Sequence, residues 1–107
     1  MTKDELTSWA LASGWQMIGG YPSLTKPSAP SMAIVRIVLK ATVASLEIKK
    51  PAGKWEKVAG ENYAKIEADS ETGIPSGLGL STISGLTMLM QDNKDRMIFA
   101  KLGDSRK

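Results

Sequence analysis

The stretch Lys50-Pro51-Ala52-Gly53-Lys54 constrains this chain more than any other. Pro51 presets the backbone for the first corner of a type I turn, and Gly53 supplies the left-handed residue that closes a three-residue hairpin loop. The loop sets Lys50 against Lys54, Lys49 against Trp55, Ile48 against Glu56, Glu47 against Lys57 and Leu46 against Val58. Gly60-Glu61-Asn62 has the composition of a second such loop, placing Ala59 against Tyr63, Val58 against Ala64 and Lys57 against Lys65. The two registers largely agree. One face of the resulting three-stranded ribbon carries Leu46, Ile48, Val58, Ala64, Ile66 and Ala68, with Glu56 as a misfit. The other carries Glu47, Lys49, Trp55, Lys57, Tyr63, Lys65 and Glu67. A slip of one residue in either turn scrambles that separation.

Upstream, Met32–Lys50 is rich in β-branched residues, including Ile34, Val35, Ile37, Val38 and Val43, which favours strand over helix. Its apolar parity switches between Val43 and Leu46, so a segment this long bends, bulges near Ala44-Ser45, or divides. The chain begins with Thr2-Lys3-Asp4-Glu5, a capping box, and a helix is expected from about Lys3 to Ser13 with Gly14 as its left-handed stop. Trp15–Ile18 reads as a short strand. Residues 20–31 hold three of the five prolines and read as a long loop, and Gly103–Lys107 reads as a frayed tail.

The run Gly73–Gln91 holds no charge. It is too short and too polar for a membrane helix, with Pro75 and three internal glycines. Ser76-Gly77-Leu78-Gly79-Leu80-Ser81-Thr82 matches no phosphate-cradling motif, since no Lys follows the glycines. A glycine-rich turn feeding a buried strand is the preferred reading. Thr87–Gln91 and Arg96–Leu102 then form a hairpin around Asp92-Asn93-Lys94-Asp95, with Met88, Met90, Met97 and Phe99 as an apolar stripe. A helix over Ser81–Gln91 is the rival, at a cost of about 1 kcal/mol for its interior Gly85.

These elements amount to a single α+β domain over residues 1–107: an N-terminal helix packed on an antiparallel sheet of about five or six strands, built as a meander of hairpins.

The chain has no Cys and no His, which removes disulfides, zinc thiolate sites, imidazole proton shuttles and the Ser-His-Asp or Cys-His nucleophile pairs. No cofactor motif is present, and Asp92, Asn93 and Asp95 lack the spacing of a calcium loop, so no metal site is expected. The net charge of +3 is mild, and the N-terminus lacks the apolar core of a signal peptide, so the expected address is the cytoplasm. Enzymatic activity is not expected. The expectation is a protein-interaction or assembly domain, with a protein partner or self-association through a sheet edge or face. Its partner-stripe candidates are Met88, Met90, Met97 and Phe99. The alternative is single-stranded nucleic-acid binding on Lys49, Trp55, Lys57, Tyr63 and Lys65, where aromatics stack on bases and lysines hold phosphates.

Overall fold

The capping box forms as its spacing demands. The Thr2 hydroxyl accepts from the Glu5 N–H at 3.1 Å, and the Glu5 carboxylate accepts from the Thr2 N–H at 2.8 Å. Both contacts belong to a computed structural model that describes residues 1–26, 28–80 and 85–105, with side chains through 96. Helix α1 (Lys3–Ala12) therefore starts with two of its first-turn donors satisfied by side chains. It ends where Gly14 takes φ +99°, with the Trp15 N–H returning to the Ala10 carbonyl at 3.0 Å.

Five strands follow: β1 (Gln16–Ile18), β2 (Tyr21–Lys26), β3 (Ala29–Leu39), β4 (Val43–Lys49) and β5 (Trp55–Asn62). They form one antiparallel meander in the order β1-β2-β3-β4-β5. The long β-branched segment thus divides into β3 and β4 at residues 40–42, where the Lys40 N–H donates to the Val43 carbonyl. The expected loop at 20–31 is largely strand. Pro22 is tolerated in β2 because it pairs only with Met17 of the short edge strand, and the β2–β3 ladder begins after it at Ser23–Arg36. Pro27 lies outside the described residues.

The Pro51 hairpin has the expected geometry. Gly53 has φ +89°, and Lys49–Trp55, Ile48–Glu56 and Glu47–Lys57 pair in register. The expected second hairpin does not form. Val58 bulges out of the ladder, so Leu46 pairs with Ala59 and Ser45 with Gly60, and β5 runs straight on to Asn62 opposite Val43. Gly60 is not a turn residue here. The Lys57 side chain lies across it, and a Cβ at Gly60 would come within 2.9 Å of the Lys57 Cε. After β5 the chain makes one 3-10 turn, Tyr63–Lys65, and then an irregular segment with a bridge between Ala68 and Pro75. Of the expected core face, Leu46 and Ile66 are buried, whereas Val58, Ala64 and Ala68 are exposed.

The expected C-terminal hairpin is replaced by a helix, α2 (Leu86–Ser105). Leu86, Leu89, Met90 and Asn93 recur at helical spacing and face the sheet, while Met88 is 74% exposed. The rival helix over Ser81–Gln91 was closer, although residues 81–84 lie outside the described residues and α2 begins only after Gly85, at φ +77°. Gly103–Ser105 belong to α2, and residues 106–107 are not described.

The core lies on one side of the sheet. Leu24, Val35, Ile37 and Leu46 point into it from the strands, Leu6 and Ala10 from α1, Leu86 from α2, and Ile66, Leu78 and Leu80 from the irregular segment. The uncharged run is therefore buried in part as irregular chain and helix rather than as sheet. Among the described residues no helix is long and apolar enough to cross a membrane.

Candidate functional site

Among the described residues no helix covers the opposite face of the sheet, which is built around Arg36. Cross-strand pairing puts Ser23, Arg36, Glu47 and Lys57 in one row, with Tyr21, Lys49 and Trp55 on the same face. The Arg36 guanidinium stacks 4.0 Å from the Trp55 ring centroid and 4.9 Å from that of Tyr21. Its Nε and Nη2 both reach Glu47 Oε1 at 2.7 Å. Charge-assisted bonding and ring stacking thus hold one half-buried cation in place.

Only part of the expected aromatic–lysine surface assembles. Lys49, Trp55 and Lys57 share this face, but Tyr63 and Lys65 do not join them. Because β5 continues past Gly60, Tyr63 sits at the far end of the sheet, where its hydroxyl donates to the Lys40 carbonyl at 2.8 Å. Partial burial pushes the Tyr63 phenol above its ordinary pKa. Lys57 faces Glu47 as expected but has no Lys65 opposite it, so the unfavourable like-charge pair that the second hairpin would create does not arise. Tyr21 and Arg36 were missed from the sequence. The β-rich pattern could have found Arg36 as the polar residue between Val35 and Ile37, whereas Tyr21 was hidden by its prolines.

The expected Met/Phe stripe does not form as a strand face. On α2, Met88 points to solvent and Met90 packs half-buried against the core, and the side chains of Met97 and Phe99 lie outside the described residues.

Two further features bear on recognition. The first is the outer edge of β5. This strand ends the sheet, pairs only with β4, and exposes Glu56, Lys57 and Val58, the last at 45%. No other strand covers that edge among the described residues.

The second is a fork between β3 and β4. Their ladder stops at Val35–Ile48, although β3 extends back to Ala29 and β4 forward to Lys49. Beyond that pair, β3 stays with β2 through Thr25–Ala33, and β4 stays with β5 through Lys49–Trp55. The gap is an open groove of about 500 Å³, walled by Met32, Ile34 and Ile48 and rimmed by Lys26, Lys49 and Lys50. A smaller cleft of about 200 Å³ lies between α1 and α2 beside Trp9, Ile74 and Met90.

Among the described residues, no group of three or more acidic side chains is placed to hold a metal ion. Comparison with protein-family models, with curated proteins and with solved structures finds no match to this chain.

Proposed function

We propose that this chain is a non-enzymatic protein-interaction or assembly domain that takes an extended segment of a partner, or of a second copy, against the outer edge of β5. The observation that carries this reading is an eight-residue terminal strand whose outer side meets no other strand among the described residues. Main-chain groups along such an edge supply affinity to any extended segment, and flanking side chains supply selectivity. The Val58 bulge and the alternation of Glu56, Lys57 and Glu61 oppose indiscriminate stacking, so the edge suits a segment of matching register.

The nucleic-acid alternative keeps Lys49, Trp55 and Lys57 and gains Tyr21 and Arg36 on the same face. It is weakened because Arg36 already covers one side of Trp55 and Glu47 sits in the middle of the surface.

Light scattering over a wide concentration range, together with selection of extended peptides from a displayed library, tests the edge reading. Val58→Lys places a charge on an exposed edge position and should abolish self-association or peptide binding without loss of fold. A strictly monomeric chain that selects no peptide, or binding unaffected by Val58→Lys, contradicts it. A salt-sensitive quench of tryptophan fluorescence by mixed oligonucleotides would favour the alternative instead.

A further inference from the structure

We propose that the fork between β3 and β4 is a binding site for a small amphipathic anion, an apolar chain carrying one carboxylate. The β3–β4 ladder ends at Val35–Ile48, one residue before β4 does, and past that end the overhanging part of β3 and the tip of the β4–β5 hairpin enclose a largely apolar concavity. At about 500 Å³ the groove falls in the size range of small-molecule sites, roughly 300–1,000 Å³. Its walls are Met32, Ile34 and Ile48, and Met32 is 53% exposed although nothing polar surrounds it on β3 except Ser31. An unbranched thioether adapts its shape to a flexible chain, so Met32 suits one wall of such a site.

The rim decides the sign of the ligand. Lys26 at the end of β2 and the adjacent Lys49 and Lys50 at the end of β4 line the groove from two sides. Lys50 is drawn back to Glu56 at 3.1 Å, whereas Lys26 and Lys49 have no ion pair among the described residues. Two unpaired ammonium groups over an apolar floor match an anionic head above an apolar tail. The groove is a recess of bounded size, lined by one hairpin tip and two strand ends, and this favours a free ligand over a lipid surface.

The test is calorimetric titration with decanoate at neutral pH, alongside acetate, decyltrimethylammonium and phosphatidylglycerol vesicles. Methyl resonances of Met32, Ile34 and Ile48 report the location. Decanoate should bind saturably and shift those methyls, while acetate and the cationic amphiphile should not. Lys26→Glu and Lys49→Glu change an exposed and a partly exposed side chain, so circular dichroism should show the fold retained, and each should weaken decanoate by about tenfold, the scale of one lost charge-assisted bond. Equal binding of the cationic amphiphile overturns the proposal, as do shifts confined to the Trp9–Met90 cleft or unchanged affinity in both variants. Binding of vesicles without binding of free decanoate also overturns it.

Discussion

The side-chain amide of Asn93 pairs with the main chain of Thr25 as a neighbouring strand would. Its Oδ1 accepts from the Thr25 N–H at 3.1 Å, and its Nδ2 donates to the Thr25 carbonyl at 2.9 Å. Strand β1 reaches only as far as Ser23 along β2, so Thr25 lies beyond its cover. Asn93 supplies the missing pairing from α2, and Arg96 adds bonds to the Thr25 carbonyl and hydroxyl at 3.0 and 2.9 Å. This is how the last helix is tied to the sheet.

Replacing Asn93 by Ala removes the side-chain partner of a buried Thr25 N–H, while Arg96 still serves the carbonyl. The expected loss is about 2–3 kcal/mol, the cost of an unsatisfied buried donor together with a lost bond. Urea unfolding of the two proteins measures it, and an unchanged midpoint contradicts the pairing.

Gly14 is required twice over. Its φ is +99°, and a Cβ there would stand 2.7 Å from the Lys94 nitrogen and 2.8 Å from the Met90 oxygen, both backbone atoms of α2. Gly14→Ala should therefore cost more than about 2 kcal/mol, since neither atom can swing aside. Gly19→Ala is the control. Gly19 has φ +59° with open space around it, so only the left-handed penalty of about 1 kcal/mol applies. Thermal unfolding should rank the two in that order.

The Arg36–Glu47 pair is half-buried, with both contacts at 2.7 Å, and stacks between two rings. A double-mutant cycle with Arg36→Ala and Glu47→Ala should give a coupling of about 1 kcal/mol, at the upper end for an exposed pair. Arg36→Ala should also red-shift tryptophan emission as Trp55 loses its cover. A null coupling would show that the stack rather than the ion pair holds the arginine.

Two carboxylates make stability depend on acid pH. The Thr2 N–H and hydroxyl hold Glu5 below its ordinary 4.5, and the Thr72 and Glu71 N–H groups hold Asp69 below its ordinary 3.8. A depressed folded-state pKa gives stability that is present above the unfolded value and lost as pH falls through the folded one. Urea midpoints should therefore drop as pH falls below those ordinary values. The drop should be shallower in the Glu5→Gln, Asp69→Asn double variant, and identical slopes in the two proteins would contradict these assignments.

What the sequence made legible was local. The Thr2 cap, the Gly14 stop and the Pro51–Gly53 loop each depend on a few neighbouring residues, and each is found where its chemistry puts it. The register it implied held from Lys49–Trp55 to Glu47–Lys57 and failed at Val58. That bulge lets β5 run on, with Gly60 accommodating the Lys57 side chain above it, and neither fact is written in the composition of Gly60-Glu61-Asn62. The same limit hid α2. Asp92-Asn93-Lys94-Asp95 has turn chemistry, but Asn93 spends its polar groups on Thr25 and on the Leu89 carbonyl, and Gln91 donates to Asp95 one turn on. Tertiary partners made good helix residues of poor ones. Of the candidate surface, Lys49, Trp55 and Lys57 were placed together by the hairpin, while Tyr63 and Lys65 depended on the turn that does not form.

The claim on which the functional proposal turns is that β5 has an open outer edge that receives another strand. Amide hydrogen exchange read residue by residue tests it most directly, first in the dilute chain and then at the concentration or peptide saturation where association is complete. The account predicts that amides of Trp55–Asn62 not bonded to β4 exchange rapidly in the dilute chain and become protected on association, while those of β2 and β3 do not change. Protection of every β5 amide in the dilute chain, or association that leaves the β5 amides as they were, would contradict it.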